Sequence, residues 1–414
     1  MDDIIEAHDE RLDAARNPIA PDRVTTRLEE MKSDIIARIQ RNAPIIGVRN
    51  PMIGAGPNDF TWLYPKSGYF WTDSFWTGQL WLAHMITGDP ALKNMARMRI
   101  PHFKRILDTP LWLSHDLGFL FSLSMVADYK LTGDGHAHEL ALRAAEALRG
   151  RFNWAGNYLV AWTAGAKNRE HARKVQGKII IDCMQNLALL LWAFNETNVA
   201  AYRDAAIGQA DTTIKHLIRA DFSTHHTFDF DTTTSEPIGA STWQGYSDES
   251  CWSRGQAWAI HGFAQVAEIT GEMRYAEIAA RLADYAIDKL TDDWVPVWDY
   301  LLPEGEPAYK DTSAGAVTSA GLLLLAEVLA RAGQTEQAAR YREFGLKMLF
   351  ALRENHDLRA VEHAQGLLSN AASHVRLAGQ RSEPNMANAM LPYGDYYYFE
   401  AVLRGLGHRE FFWY

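Results

Sequence analysis

The sequence predicts an all-α fold, an (α/α)6 toroid in which six helical hairpins close into a ring. Three observations support it: six separated apolar helical patterns, an acidic residue at or close to the start of each, and a turn with a more polar amphipathic helix after most of them. Helices that are apolar nearly all round are buried on both faces, so these six should form an inner wall. The acidic residues are Asp73, Asp116, Asp182, Asp248, Asp311 and Asp395.

The predicted inner helices follow one another along the whole chain. They comprise residues 76–86, 116–131, 182–194, 252–269, 313–330 and 396–403. The corners after five of them carry Gly or Asn, which suits a helix C-terminus that needs a left-handed residue, and then a polar residue that can cap the next helix. These corners are 87–89, 132–134, 195–198, 270–272 and 332–334. All inner helices should therefore point their N-termini at one end of the ring, here called the mouth.

The hairpin pattern spans nearly all of the 414 residues, so we predict one catalytic domain. Within 1–414, residues 1–55 are expected to form an N-terminal helical and loop extension packed on the barrel. The chain starts MDDIIE, which is acidic where a signal peptide is basic, and no apolar run is long enough to cross a bilayer without interruption. We expect a cytoplasmic protein with no membrane partner.

Charge and cysteine content exclude several classes of protein. The net charge of −10 argues against a nucleic-acid partner, because phosphate binding needs a basic surface. Cys183 and Cys251 lie in or beside apolar helical patterns, which argues against a disulfide framework or a thiolate metal site. His225 and His226 would point opposite ways on a strand and make a poor metal pair, so we expect no metal and no cofactor. The basic segment 167–178 is either a solvated loop or attracts an acidic substrate to the mouth.

Tryptophans cluster where the inner helices begin. Trp81, inside a helix at apolar spacing, is predicted to pack in the core. Trp71, Trp76 and Trp252 lie within a turn of helix starts and could line the mouth as flat platforms for the C–H face of a sugar ring. Trp162, in the loop before the third inner helix, belongs to the same cluster. The predicted ligand class is therefore carbohydrate.

Most of the six aspartates have an ordinary structural explanation. An aspartate at a helix N-terminus usually accepts backbone N–H bonds, which stabilise its charge and lower its pKa. We assign Asp73, Asp311 and Asp395 to capping or hydrogen bonding. Asp248 stays undecided.

Asp116 and Asp182 differ because their neighbours are otherwise apolar. Poor solvation raises the pKa of a carboxyl, and repulsion between two close carboxylates would raise one pKa further, giving an acid and a carboxylate in one site. The helix dipole opposes both effects. The sequence leaves open which effect prevails.

Five strings in these regions resemble glycoside hydrolase family 88, the unsaturated glucuronyl hydrolases. They are FWTDSFWTG (70–78), HDLGF (115–119), IDCMQNL (181–187), DESCWSRGQAW (248–258) and GDYYY (394–398). Their order and spacing are similar over roughly residues 60–405. Family 105, the unsaturated rhamnogalacturonyl hydrolases, shares the fold but resembles these strings less.

The resemblance implies a hydrolase that removes 4,5-unsaturated glucuronic acid from the non-reducing end of lyase-generated oligosaccharides by hydrating the C4=C5 double bond. Asp182 would protonate C4 and, as a carboxylate, activate the water. Asp116 would be its partner and contact the ring hydroxyls. The anomeric carbon is not attacked, so neither spacing of an ordinary glycosidase carboxylate pair is required. The implied partner is a small acidic oligosaccharide, and the oligomeric state stays open.

The same resemblance implies the substrate-binding residues His115, His226, Gln244, Trp252, Arg254 and Trp258. The tryptophan cluster near the helix starts adds Trp71, Trp76 and Trp162. The planar fork of Arg254 suits a bidentate bond to the uronate carboxylate, and the alternative is an ion pair on the helix surface. His226 lies in an alternating stretch that could be a short strand at the edge of the mouth. Gln244 could bind a hydroxyl or position water, and Trp162 could stack under the ring.

One departure from the family concerns sulfated substrates. Members that act on sulfated fragments carry a Ser-x-x-Ser-x-Lys motif before the final inner helix. Here Ser369 and Ser373 are one residue further apart and no lysine follows. This puts a preference for sulfated substrates in doubt, although Arg376 could substitute as a cation. The stretch 377–390 also differs from the family.

Two functions of other classes stay open. A sugar epimerase or isomerase on the same toroid would favour paired inner-wall histidines, and His261 alone lies well inside an inner helix pattern. A non-catalytic carbohydrate-binding toroid is the other, and the apolar setting of Asp182 argues against it, because an unpaired buried carboxyl costs stability.

Overall fold

The protein is an (α/α)6 toroid, as predicted. The computed structural model describes residues 21–66, 68–163, 175–375 and 386–414. Its helices are α1 (Pro21–Ile46), α2 (Phe75–Thr87), α3 (Pro90–Arg97), α4 (Ile100–Leu107), α5 (Leu117–Phe121), α6 (Ala127–Thr132), α7 (Gly135–Arg149), α8 (Cys183–Thr197), α9 (Ala200–His216), α10 (Ser253–Thr270), α11 (Met273–Asp288), α12 (Thr312–Arg331), α13 (Thr335–Asn355) and α14 (Pro392–Gly405). The inner wall consists of α2, α5 with α6, α8, α10, α12 and α14.

The five predicted corners are confirmed. Each places a residue with a left-handed backbone at or just after the helix end: Gly88, Gly133, Asn198, Gly271 and Gly333. The polar residues that follow cap the next helix at two corners, since Asp89 accepts the N–H of Ala91 and Asp134 accepts that of Ala137.

Two inner helices differ from their predicted form. The second is not one continuous α-helix, because a π-helical segment, Ser122–Val126, separates α5 from α6. Within it the hydroxyl of Ser124 bonds to the carbonyl of Leu120 and offers that carbonyl a second partner. The last inner helix begins earlier than predicted, with Pro392 in its first turn, where the missing N–H costs nothing.

The outer helices complete the ring. Helix α1 packs against α2 and α14, so it fills the outer position between the first and last inner helices. One core of buried apolar side chains extends from Leu28 to Trp413. Helix α12 corrects the prediction that no apolar run could span a bilayer: it is long and apolar enough, but 89% of its most apolar stretch is buried inside the protein.

Short antiparallel strands lie at the mouth. They are β1 (Ile53–Gly54), β2 (Trp62–Leu63), β3 (Phe152–Asn153), β4 (Tyr158–Leu159), β5 (Lys178–Ile180), β6 (Thr227–Phe230) and β7 (Pro237–Ser241). Strand β6 pairs with both β5 and β7, with Ile180 opposite Thr227. This sheet sets the residue before β6, His226, beside the start of α8, because the N–H of Ile181 donates to the carbonyl of His226 at 3.0 Å.

Candidate active site

The two carboxylates singled out in the sequence occupy equivalent places in the ring. Asp116 directly precedes α5 and Asp182 directly precedes α8. Both stand at the N-cap position, yet neither side chain accepts a backbone N–H from its own helix. Both carboxyls therefore remain available for other contacts.

Asn186 joins the starts of these two helices. Its Oδ1 accepts the N–H of Phe119 at 2.7 Å, and its Nδ2 donates to the carbonyl of Asp182 at 3.2 Å. Helix α5 approaches α8 so closely that a Cβ on Gly118 would lie 2.3 Å from the Cα of Asn186. The glycine thus permits the contact that brings Asp116 and Asp182 to one site.

Asp116 is held by two neighbours of its own loop. The hydroxyl of Ser114 donates to Oδ2 at 2.9 Å, and Nε2 of His115 lies 3.3 Å from Oδ1. Nδ1 of His115 lies 3.3 Å from the amide Nδ2 of Asn186, which can only donate. The proton of the neutral imidazole is therefore on Nε2, towards Asp116, and burial lowers the pKa of His115 and favours this neutral form.

Asp182 has the properties of a general acid. Burial raises its pKa to about 7, with a further contribution from Asp116 and an opposing one from Arg254. Its side chain is 12% exposed, and its Oδ2 has no hydrogen-bond partner among the described residues. Burial thus prevails over the helix N-terminus, and a substantial fraction of Asp182 carries a proton near neutral pH.

His226 presents a neutral N–H towards Asp182. The backbone N–H groups of Trp243 and Gln244 both donate to its Nδ1, at 3.0 and 3.2 Å. The proton is therefore on Nε2, and burial and then the charge of Arg254 lower the imidazole pKa to about 3. Nε2 lies 3.9 Å from Oδ2 of Asp182. Neither atom has a hydrogen-bond partner among the described residues, and the distance between them is too long for a direct hydrogen bond.

The hydrogen bonds of the Arg254 guanidinium differ from the predicted ones. Its Nη1 donates to Asp311 and to the carbonyl of Ala372, both at 2.6 Å, and its Nη2 donates to the carbonyl of Ser373 at 2.9 Å. Arg254 is also 1% exposed. Both terminal nitrogens are therefore committed to internal contacts, and the bidentate bond to a uronate carboxylate, as predicted, conflicts with this geometry. The Nε–H lacks a partner among the described residues.

The predicted tryptophan platforms divide into two groups. Trp76 and Trp252, predicted as sugar platforms, are 2% and 4% exposed and are corrected to packing residues. Trp258, predicted as a substrate-binding residue, is 0% exposed and packs in the core. Trp252 lies under His226, with ring centroids 4.4 Å apart, and under the guanidinium of Arg254, 4.5 Å from its ring centre. Trp71 and Trp162 are half-buried and remain candidates for contact with a sugar.

Three of the other aspartates make the predicted structural hydrogen bonds, but burial raises the pKa of Asp395 to about 7, against the lowering predicted for a capping aspartate. Asp311 caps α12, and Asp395 accepts two backbone N–H bonds from the loop before α14, at 2.9 and 3.0 Å. Asp73 accepts a backbone N–H three residues earlier at 3.1 Å. Asp248, which the sequence left undecided, accepts the N–H of Thr242 at 2.8 Å.

The remaining predictions concern residues at the edge of the site. Gln244 donates its side-chain amide to the carbonyl of Ser373 at 2.8 Å, so it fastens a loop at the mouth. His261 bonds to Glu400 at 3.0 Å within the core. Its partner in this contact is a carboxylate and not the second histidine that an epimerase would favour. Most of the basic segment 167–178, and Arg376, lie outside the described residues. Lys178, the last residue of that segment, is buried and bonded to Asp229 at 2.6 Å.

The described residues also show how possible metal ligands are distributed and where the two cysteines lie. Among the described residues, no three His, Cys, Asp or Glu side chains are grouped as metal ligands. Cys183 and Cys251 are buried free thiols, and burial raises the pKa of both. Neither thiol has the lowered pKa of a nucleophile.

Some residues of the site were missed in the sequence. Asn186 lies four residues after Asp182, on the same face of α8, and Ser114 lies two residues before Asp116, so spacing could have found both. Tyr393 packs 4.9 Å from Trp71 and lies 5.2 Å from the guanidinium of Arg254. Nothing local distinguishes it from the other tyrosines of α14.

The chain is similar to known proteins over most of its length. The chain is 35% identical over 372 residues to an unsaturated glucuronyl hydrolase of Bacillus sp. (strain GL1), covering 90% of this chain and 94% of the relative. It is 33% identical to an unsaturated chondroitin disaccharide hydrolase of Streptococcus agalactiae serotype III (strain NEM316), covering 83% of each. The crystal structure of the Bacillus sp. GL1 hydrolase superposes with a TM-score of 0.82 at 34% identity, covering 91% of this chain and 96% of that one. No family model matches the chain.

Proposed function

The chain belongs to the unsaturated glucuronyl hydrolase family, and from that premise we propose that it removes 4,5-unsaturated glucuronic acid from the non-reducing end of oligosaccharides by hydrating the C4=C5 double bond. One observation carries the mechanism. Oδ2 of Asp182 and Nε2 of His226 face each other across 3.9 Å, both without a partner among the described residues. One is an acid with a pKa of about 7 and the other is a neutral N–H donor.

The first step is a proton transfer from Asp182 to C4. The two electrons of the C4=C5 bond form the new C4–H bond, and positive charge develops at C5, where the ring oxygen stabilises it. A carboxyl with a pKa near the working pH is suited to this step, because it is often protonated and still a useful acid. The neighbouring charge of Asp116 helps to keep the proton on Asp182.

The second step is attack of water at C5. The Asp182 carboxylate, now without its proton, takes a proton from the water, and the N–H of His226 can hold the water in place. The product is a hemiketal at C5. It opens to a ketone at C5 and a hemiacetal at C1, and the hemiacetal becomes an aldehyde as it releases the remaining saccharide as an alcohol. One water is consumed and the Asp182 proton is restored.

Asp116 has a supporting role in this scheme. Ser114 and His115 fix the orientation of its carboxylate, which can then accept hydrogen bonds from the ring hydroxyls. The epimerase alternative receives no support of this kind. His261 is buried and bonded to Glu400, a carboxylate of the core.

The downstream sugar is proposed to be unsulfated. Ser369 directs its hydroxyl to the carbonyl of His356 at 3.1 Å, and the carbonyl of Ser373 is held by Gln244 and Arg254. The hydroxyl of Ser369 and the backbone carbonyl of Ser373 thus bond within the protein, and no lysine follows Ser373 as it does in members that act on sulfated fragments. Equal or better turnover of a sulfated disaccharide than of its unsulfated counterpart would contradict this part of the proposal.

Isotope labelling tests the mechanism. In heavy water the released uronate should carry deuterium at C4, and in labelled-oxygen water the new oxygen should appear at C5. The saturated glucuronide lacks the double bond and should bind without turnover. Cleavage of the saturated sugar with the oxygen label at C1 would instead indicate an ordinary pair of glycosidase carboxylates.

A further inference from the structure

A cavity outside the active site is lined by several positively charged residues, and we call it the arginine cavity. The loop after α1, the loop after β2 and helix α4 form its walls. Its volume of about 430 Å³ falls within the range of small-molecule sites, roughly 300–1,000 Å³. Its charged lining residues are Arg49, Asp73, Arg99 and Arg105. Ser67, which precedes the lining residue Gly68 and lies outside the described residues, adds no charge.

Arg99 is a buried cation without a carboxylate partner. It is 1% exposed, and its guanidinium donates to the side chain of Asn50 and to three backbone carbonyls, all of them neutral acceptors. Buried Arg254, by contrast, pairs with Asp311 at 2.6 Å. Burial lowers the pKa of Arg99 to about 10, and no carboxylate offsets this effect. A buried charge without a counterion is costly, so an anion in the cavity would stabilise Arg99.

Two exposed arginines add to the positive charge of the wall. The guanidinium of Arg49 lies 4.3 Å from the ring centre of Tyr64, and its bonds to described residues end on backbone carbonyls. The guanidinium of Arg105 lies 5.8 Å from the ring centre of Trp112 and donates to His102. The hydroxyl of Tyr64 is buried and has no partner among the described residues, so it offers a further donor.

Asp73 is the one carboxylate in the described lining, and its charge is already engaged. It is 0% exposed, and its Oδ2 accepts the N–H of Phe70 at 3.1 Å and lies 2.7 Å from Nε2 of His102. Nδ1 of His102 accepts a hydrogen of Arg105 at 3.3 Å, because a guanidinium can only donate. The imidazole is therefore neutral, with its proton directed at Asp73. Three arginines and one carboxylate leave the described wall with two positive charges in excess.

We propose that the arginine cavity binds a tetrahedral dianion of the phosphate or sulfate type. A phosphate group carries a charge of about −1.5 to −2 at neutral pH and three acceptor oxygens, which matches the excess charge and the donors of several guanidinium groups. A carboxylate would neutralise only one of the two charges. Val48 and Met98, 52% and 56% exposed, offer apolar surface in the same lining, so the phosphate of a small ester fits as well as the free ion. The site is separate from the proposed hydrolase activity.

Calorimetric titration at a constant ionic strength of about 0.15 M tests the site, because salt screens exposed charges. The probes are inorganic phosphate, inorganic sulfate and acetate. We expect phosphate and sulfate to bind saturably, with one ion per chain. Acetate should bind at least about tenfold more weakly, since it carries a single charge and two oxygens.

Two variants each remove one arginine from the wall. Arg49→Gln and Arg105→Gln should each weaken phosphate binding by roughly three- to tenfold, the scale of a charge-assisted hydrogen bond at an exposed position. Both side chains are exposed, so the fold should be retained, whereas Arg99 is kept because it fastens three backbone carbonyls. The control Arg203→Gln removes an exposed arginine of α9 that does not line the cavity, and it should leave phosphate binding unchanged.

Phenyl phosphate separates the two sources of the dianion. Tighter binding of phenyl phosphate than of inorganic phosphate assigns the site to an ester whose apolar part contacts Val48 and Met98, and equal affinity assigns it to the free ion.

Three results would overturn the site. They are the absence of saturable phosphate binding in the wild type, acetate binding as tight as phosphate binding, and an unchanged phosphate affinity in either Arg49→Gln or Arg105→Gln. Binding is measured without substrate, so none of these results depends on the proposed function. Failure to turn over an unsaturated disaccharide would contradict the proposed function and leave the anion site as it is.

Discussion

Replacing Asp182 with Asn should stabilise the folded protein at alkaline pH and abolish turnover. The carboxyl has an ordinary pKa of 3.8, and burial raises it to about 7 in the folded state. Between these values the folded protein holds a proton that the unfolded chain releases. Wild-type stability therefore falls as pH rises from about 4 to about 7 and falls no further above that. Asn cannot ionise, so the variant escapes this loss.

The magnitude follows from the shift of about three pKa units. At about 1.4 kcal/mol per unit, the penalty in the wild type is about 1.5 kcal/mol at pH 5 and about 4 kcal/mol at pH 8. The advantage of Asp182→Asn in the free energy of unfolding should therefore grow by about 2.5 kcal/mol between these pH values. Asn is nearly isosteric with Asp, so the fold should be retained. Because the proton donor is missing, the variant should not turn over the substrate, and the ultraviolet absorbance of the substrate's double bond should stay constant.

Urea unfolding of both proteins at pH 5 and pH 8 measures this difference. Asp292→Asn, at an exposed position, controls for the change of aspartate to asparagine and should give the same difference from wild type at both pH values. An advantage of Asp182→Asn that does not change with pH would refute the argument that burial raises this pKa. Near-normal activity in the variant would refute the assignment of Asp182 as the acid.

Three further predictions concern pH, Arg254 and Gly118. In the wild type, kcat/KM should decline as pH rises through about 7, because Asp182 must be protonated to begin the reaction; a flat profile from pH 5 to 9 would count against it. Arg254→Lys keeps the charge but loses at least one hydrogen bond to the carbonyls of Ala372 and Ser373. We therefore expect kcat/KM to fall at least about tenfold, the scale of a charge-assisted hydrogen bond. Unchanged kinetics would show that the loop with Ala372 and Ser373 does not depend on the guanidinium of Arg254. Gly118→Ala places a Cβ 2.3 Å from the Cα of Asn186 and should lower the free energy of unfolding by about 1–3 kcal/mol. The control Gly135→Ala meets no atom within 4 Å, and a similar effect of both changes on thermal unfolding would contradict the close contact.

The features that the sequence predicted well depend on neighbours along the chain. The apolar pattern of α12 or α8 repeats within a few turns, and the left-handed residues Gly88 and Asn198 mark helix ends that form locally. For the same reason the apolar flanks of Asp182 sufficed to select it. The motifs around Asp116 and Asp182, taken in order, then led to the family that the comparisons show.

The features that required the tertiary structure depend on distances between residues far apart in the chain. Trp252 looked like a sugar platform because it stands at a helix start, but its burial is decided by the neighbours folded onto it. The guanidinium of Arg254 was predicted to bind the uronate carboxylate, yet it bonds to Asp311 and to the carbonyl of Ser373.

The balance at Asp182 is of the same kind. Periodicity predicts that a helix begins there, and the sequence leaves open whether burial or the helix dipole prevails. The answer depends on how much water the packed ring excludes and on the 3.9 Å to His226, a residue 44 positions along the chain. Solvation and Coulomb energies follow distances in space, so only the assembled toroid determines which carboxyl carries the proton.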